Sequence, residues 1–424
     1  LSLLVKESLI TEIHTVLVNN DARELVKEYL LIHPNIFHNE CFNVIAIGKA
    51  AVSMYFGLQS LAARIDKALI IFPEGYSLDI ERKLDNDWKA IANSLPVPKL
   101  IVSSHPVPDK RSLIAGKKLV QFIQSQPTPK NWLILMSGGS SALVEVLKEQ
   151  HGLTEIFRLN ELMLRHALPI EVMNDLRKRF SKIKNGGLLN YFPENSSLLQ
   201  LMLSDVAGDD PSLVGSGLLF PKPINLKTDL LPNEVLKCLT NVQLNRKEDE
   251  ASERLLCQSQ CIGNSLQLCE AIAGMFKLNG HTEINIVEID ESVASYVGRI
   301  HSLIKKSVKG VYLFHGETYL DLPEDTGIGG RNLHSALLVA QIIRNYSKPI
   351  QFVTIASDGF DGNSGAAGAY VDNQTWQKLI DKGCDPVLLL TEFNSYTGLE
   401  AIDSIIDWAP GRTNVRDIGI LLIE

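Results

Sequence analysis

The chain repeatedly runs a short, unbroken apolar stretch into a loop of glycine, serine, proline or aspartate. "FNVIAIG" (Phe42–Gly48), "KALIIFPEG" (Lys67–Gly75), "LIVSSHP" (Leu100–Pro106), "WLILMSGG" (Trp132–Gly139) and "LLQLMLSD" (Leu198–Asp205) all have this form. Segments of helical character, such as "RSLIAGKKLVQFIQ" (Arg111–Gln124), lie between them. A strand with one wet face alternates apolar and polar residues, whereas an unbroken run must be covered on both faces. The pattern therefore predicts a parallel sheet with helices on both sides. Before it, the first 29 residues or so read as an amphipathic helix. Beyond it, "TEINIVEI", "KGVYLFHGETYLDL", "IQFVTIASDGFDG" and "IGILLIE" read as strands, with "RNLHSALLVAQIIRN" as a helix. These predict a second, smaller α/β domain. The polar "NRKEDEASER" (Asn245–Arg254) reads as a solvated connection, and the expected domains are residues 1–230 and 250–424.

A length of 424 residues accommodates two or three domains. With 45% hydrophobic and 21% charged residues, the composition is that of a soluble globular protein. A formal charge of -8 argues against broad affinity for nucleic acid or anionic membrane, although local basic sites for small anions remain open. No apolar run approaches the roughly 20 residues of a membrane span. The opening "LSLLVKESLI" lacks the basic start and small-residue cleavage site of a signal peptide. Six scattered cysteines form no metal-type pairs, and Cys257 and Cys261 would share one face of a buried helix. A reducing, cytoplasmic setting is the expectation. Oligomeric state is not set by the sequence.

In an open parallel sheet, ligands bind beyond the carboxyl ends of the strands. The loops expected there are Gly48-Lys49, Ser137-Gly138-Gly139-Ser140-Ser141, Asp205 to Asp210, Gly327 to Asn332 and Asp358 to Gly362. Glycine lets backbone N–H groups approach a phosphate, and a following helix N-terminus favours negative charge. Lys49 and Arg331 bring positive charge. Asp205, Asp209, Asp210, Asp358 and Asp361 bring hard oxygen atoms for magnesium, or a base for a hydroxyl. Together these are the parts of a phosphoryl-transfer site. Each loop also has a purely structural reading: glycine-rich segments turn the chain, and Asp209 reads as the N-cap of a helix starting at Pro211. The chain contains no P-loop and no G-x-G-x-x-G after a strand, which disfavours a standard P-loop ATPase or a simple dehydrogenase. "MSGGSSALV" matches a hydrolase nucleophile elbow only loosely.

In this order, "IGKAA", "SSHPVPD", "SGGSSAL", "SDVAGDDPSLVGSG", "GETYLDL", "GIGGRN" and "SDGFDGNSGAAGAYVD" resemble the type II glycerate kinases with their C-terminal MOFRL domain. The resemblance covers nearly the whole chain. It implies an N-terminal Rossmann-like αβα domain and a smaller α/β C-terminal domain, with ATP- and magnesium-dependent phosphorylation of D-glycerate to 2-phosphoglycerate in the cleft between them. Relatives are sometimes labelled hydroxypyruvate reductases, which the missing dinucleotide fingerprint does not support. By the same resemblance, Lys49, Arg331, Asp205 and Asp358 are the expected catalytic residues. Asp205, Asp209 and Asp210 are the expected magnesium ligands. Gly48, Ser137, Gly138, Gly139, Ser140, Ser141, Gly329, Gly330, Asn332 and Asn414 are expected to line the substrate and phosphates.

The chain departs from the family's pattern in places. Lys184-Asn185-Gly186-Gly187 lacks the family's arginine at its end, and His315 precedes Gly316-Glu317 where the family has glycine. Arg412, in Ala409–Val415, stands where the family has glycine. An arginine there contacts a substrate anion, obstructs the ligand or turns out to solvent. Three readings follow: a glycerate kinase, a kinase of the same fold for another small hydroxy acid, or a diverged protein that binds nucleotide or sugar acid with weak or no catalysis.

Overall fold

The computed structural model describes residues 6–76, 93–128, 130–149, 152–166, 168, 170–223, 231–238, 256–306, 308–323 and 325–424. It divides into two units. One is Val26–Ile262; the other joins Leu1–Leu25 to Gly263–Glu424. This division differs from boundaries at 230 and 250, because the N-terminal segment groups with the C-terminal residues. The Asn245–Arg254 connection lies outside the described residues.

The Val26–Ile262 unit is built on β1 (Phe42–Ile47), β2 (Ile65–Pro73), β3 (Lys99–Ser103), β4 (Asn131–Met136), β5 (Ser197–Leu203) and β6, which begins at Leu256 and ends at Gly263. Their order is β3-β2-β1-β4-β5-β6, and the pairs from β3 to β5 are parallel. This is the doubly wound arrangement that the unbroken apolar runs predict. All six residues of β1 are buried. The chain reverses its winding between β1 and β4, where Ile47 pairs with both Ile71 and Met136. The residues just past Ile47 and Met136 therefore lie side by side.

Cys257 and Cys261 lie in β6, correcting the helical expectation; the strand alternation still places both on one face, packed against the core. The N-terminal helix is two helices, Lys6–Asn19 and one starting at Ala22, separated at Asn20-Asp21.

The second unit has β7 (Ile284–Ser292), β8 (Gly310–Tyr319), β9 (Ile350–Ala356), β10 (Gly368–Asp372), β11 (Ile405–Ile406) and β12 (Asp417–Ile423). The order is β11-β10-β9-β12-β8-β7. Only β7 and β8 pair in parallel; the other neighbours are antiparallel. The last strand inserts between β8 and β9, with Asp417 opposite both Gly316 and Ala356. That register brings the carboxyl ends of β8 and β9 to the start of β12.

Trp132 anchors the first core. It is fully buried, with edge-on contacts to Phe122 at 6.1 Å and Phe192 at 5.1 Å between ring centroids. Trp132→Ala is expected to destabilise this unit by about 3–5 kcal/mol, the usual cost of emptying an aromatic site. Urea midpoints read by circular dichroism would measure it; a loss under about 1 kcal/mol would show a site that collapses around the gap.

Candidate functional site

The sequence-predicted residues fall into two groups, one in each unit. The first gathers where β1 and β4 end. Gly48 has φ +132°, and a Cβ there would lie 2.2 Å from Ser137 Oγ and 2.5 Å from its carbonyl oxygen. Only glycine lets the two loops approach this closely. Lys49 N–H then donates to Gly138 O at 3.0 Å, Ala50 N–H to Ser137 Oγ at 3.0 Å, and Ser140 Oγ to Ser137 O at 2.8 Å. The two turns are thus bonded into one cradle. Lys49 Nζ lies 5.7 Å from the centroid of Tyr76, within cation–π range. Gly139 lies under His105: a Cβ there would be 2.9 Å from the imidazole and 3.3 Å from Lys49 Cγ. Ser141 and Ser216 share a hydroxyl–hydroxyl hydrogen bond of 2.6 Å, joining the cradle to the Asp205–Gly217 segment.

Within that segment the three carboxylates differ. Asp205 and Asp209 are half-buried. Asp210 accepts from Ser212 N at 2.9 Å and Ser212 Oγ at 2.6 Å, and pairs with Lys222 at 2.9 Å. The Ser212 hydroxyl leads in holding its carboxyl down at about 2, with Lys222 adding to the effect. The capping residue before Pro211 is therefore Asp210, not Asp209, and it caps a turn rather than a helix. Asp209 instead adopts a left-handed φ of +54° beside Gly208.

The Lys184-Asn185-Gly186-Gly187 segment borders this group. Lys184 makes a buried ion pair with Glu145 at 2.7 Å, and Asn185 N–H donates to Ser216 O at 3.1 Å. A Cβ on Gly187 would lie 2.2 Å from Lys182 O, so this backbone holds no arginine at that position.

In the second unit, Gly329, Gly330, Arg331 and Asn332 lead into the helix Arg331–Ile343. Arg331 Nε and Nη2 donate to the two oxygens of Asp417, at 2.6 and 3.2 Å, and Nη2 pairs with Glu317 at 3.0 Å. The guanidinium fork is thereby fixed between the end of β8 and the start of β12. Asp361, fully enclosed, accepts from Asn332 N at 3.0 Å, Asn332 Nδ2 at 3.2 Å and Leu333 N at 2.8 Å. Asn332 Oδ1 accepts from Thr354, so its side-chain amide is engaged within the fold. Asp358 is half-buried; its Oδ1 accepts from Phe360 N at 3.1 Å, and its carbonyl from Gly411 N at 3.2 Å. Asn414 follows on the same loop. Its Nδ2 and the neighbouring Thr413 Oγ1 are buried without hydrogen-bond partners among the described residues. Arg412 lies over the ring of Trp408, 5.6 Å from the ring centroid.

Sequence reasoning left Asp417, Glu317, Thr413, His105, Ser216 and Lys222 out of the site. His105 and Ser216 sat inside segments already singled out by their glycines, serines and prolines. Asp417 carried no local signal; only the insertion of β12 brings it to Arg331.

The chain matches two family models: "Domain of unknown function (DUF4147)" over residues 9–256 and "MOFRL family" over residues 310–417. It is 28% identical to the D-glycerate 2-kinase of Thermotoga maritima over 393 residues, covering 90% of each chain. It is 31% identical over 345 residues, 77% of each chain, to an Agrobacterium vitis protein provisionally named a hydroxypyruvate reductase. A crystal structure of glycerate kinase from Thermotoga maritima superposes with a TM-score of 0.77 at 26% identity, covering 98% of each chain.

Burial pushes the carboxyl of Asp361 up to about 6, against the N–H donors of Leu333 and Asn332 that pull it down. A carboxyl with a raised native value binds its proton more tightly folded than unfolded. The stability it contributes is present in full below the unfolded value of 3.8 and is lost as pH rises through about 6. Asp361→Asn removes this titration. Urea midpoints of wild type and variant should therefore converge, or cross in the variant's favour, between pH 4 and pH 7. A constant gap would show that Asp361 is ionised throughout.

Proposed function

The chain belongs to the family that joins DUF4147 to MOFRL, and from that premise we propose that it is a glycerate 2-kinase, transferring the terminal phosphoryl group of ATP to the 2-hydroxyl of D-glycerate. The observation that carries this reading is the cradle at the ends of β1 and β4. Glycines at 48 and 139, the Ser137 and Ser140 hydroxyls and the Lys49 backbone converge there without a dinucleotide fingerprint. Backbone N–H groups and a lysine suit the phosphates of a nucleotide.

Phosphoryl transfer is mostly positioning and charge neutralisation. Lys49 would neutralise charge growing on the transferred group. Arg331, already oriented by Asp417 and Glu317, would present its remaining edge to phosphate or to the glycerate carboxylate. Asp358, half-buried beside the Gly411 turn, would orient the attacking hydroxyl.

Magnesium suits the donor chemistry of the Asp205–Asp210 segment, which is all hard oxygen. Asp210 is engaged by Lys222 and Ser212. Among the described residues no group of three or more His, Cys, Asp or Glu side chains is placed to hold a metal ion. Asp205 and Asp209, half-buried on the same segment, would be the protein's contribution, with phosphate oxygens completing the shell, as is usual for magnesium in kinases. When bound, the ion would supply charge neutralisation on the phosphates.

A kinase for another small hydroxy acid is the second reading, favoured by the absent arginine at Gly187. ADP release, coupled to NADH oxidation and read over a panel of hydroxy acids, tests both. Preference for D-glycerate supports the first, preference for another acid the second, and no turnover would leave a binding protein. Lys49→Ala is expected to lower kcat on the order of 100-fold or more if its charge acts in the transition state. At least one of Asp205→Asn and Asp209→Asn should raise the magnesium concentration needed for half-maximal rate. Wild-type kinetics in both at limiting magnesium would make the segment structural.

A further inference from the structure

The loop from Trp408 to Asp417 holds two buried polar atoms without partners. Thr413 is 1% exposed and Asn414 is 4% exposed, yet Thr413 Oγ1 and Asn414 Nδ2 have no hydrogen-bond partner among the described residues. Orphaned buried donors are costly, on the order of 1–3 kcal/mol each, and are retained where something else satisfies them. The two residues stand between two fixed points: Gly411, bonded to the carbonyl of Asp358, and Asp417, bonded to Arg331. A hydroxyl and an amide N–H are donors suited to oxyanion oxygens.

What fixes this loop comes from the other end of the chain. Ala22 N–H donates to Arg412 O at 2.8 Å. The Arg412 guanidinium lies over Trp408, and His14 meets the same indole edge-on at 5.3 Å. Trp408 Nε1 donates to Ser357 O at 3.0 Å, and Ser357 Oγ accepts from Val415 N at 2.8 Å. Asp21 is fully buried; one oxygen accepts from Glu24 N at 2.9 Å and the other has no hydrogen-bond partner among the described residues. Burial pushes this carboxyl up to about 6, while Glu24 N–H and the fields of Arg23 and Arg412 pull in the opposite direction. The arginine is therefore an internal anchor.

We propose that Arg412 is a positioning residue: lying over the Trp408 ring, with its carbonyl bonded to Ala22 N–H, it sets the turn that presents Thr413 Oγ1 and Asn414 Nδ2 to an oxyanion of the substrates. The oxyanion is a phosphate of ATP or the carboxylate of D-glycerate, two sources of one chemistry. The inference rests on the kinase reading for its substrates, but its geometry is independent of that reading.

The test compares Arg412→Ala, Thr413→Val and the double variant, with ATP and D-glycerate varied separately. Thr413→Val is expected to raise one KM by about tenfold, the size of one lost hydrogen bond to a charged group. The substrate whose KM moves identifies the oxyanion. Arg412→Ala should raise the same KM and leave the other within twofold, while Arg412→Lys recovers part of the loss. The double variant should be no worse than Thr413→Val alone, because one residue acts through the other. Multiplying losses, both KM values rising together with a lowered Tm, or an unmoved KM in Arg412→Ala would each overturn the proposal. If the wild type turns over no D-glycerate, the kinase reading fails and the anchor is read by hydrogen exchange. Amides 411 and 413–415 should exchange faster in Arg412→Ala than in wild type, and equal rates would remove Arg412 as the anchor.

Discussion

No side chain fits at Gly48. The backbone of β1 leaves the sheet against the carbonyl and hydroxyl of Ser137, which follows β4. That contact exists because both strands are central, buried and paired in register up to Ile47 and Met136. Once the two turns touch, the remaining bonds of the cradle follow: Lys49 to Gly138, Ala50 to Ser137, Ser140 to Ser137. The Lys49 backbone is held between two strand-end turns by its bond to Gly138. Loosening the β1–β4 pair would displace Lys49, His105 and the serines together.

The second unit reaches a comparable rigidity by other means. Its sheet is mostly antiparallel, so the Rossmann rule about strand ends does not place its loops. The insertion of β12 does. Asp417 starts that strand opposite both Gly316 and Ala356, and from there it orients Arg331 with both oxygens. Breaking a half-buried ion pair leaves the partner charge uncompensated, so Arg331 owes its direction to a residue 86 positions away. Asp361 does the same for the next residue, tying the helix start to the turn after β9.

The sequence was readable where the signal is local. Unbroken apolar runs announce strands covered on both faces, and β1, β2, β4 and β5 follow from them. Gly48-Lys49 and Ser137–Ser141 were recognisable for the same reason: a strand end followed by glycine is a short-range pattern. The antiparallel order of the second sheet was not, because β12 pairs with strands begun 107 and 67 residues earlier, at Gly310 and Ile350. Hydrophobic pattern states that a segment is a strand, not which neighbour it takes. Asp417, Glu317 and the grouping of the N-terminal helix with the C-terminal residues share that invisibility. The Asp210 cap was missed by one residue: the aspartate that caps a proline turn is the one directly before the proline, and the pair Asp209-Asp210 offered two.

The departures from the family's pattern read differently once each has a place. Gly187 is glycine because its backbone meets the carbonyl of Lys182, and Lys184 is already paired with Glu145. The change there alters how a loop is held, with Asn185 reaching across to Ser216 and Lys222. Arg412 follows the same logic. Its carbonyl serves Ala22 and its guanidinium covers Trp408, so the residue is built into the support of the loop. Both substitutions change the scaffold behind ligand-facing groups and leave Lys49, Arg331 and Asp358 in place. A site can accept such changes when the chemistry is carried by a few oriented charges and the backbone around them is fixed by redundant hydrogen bonds.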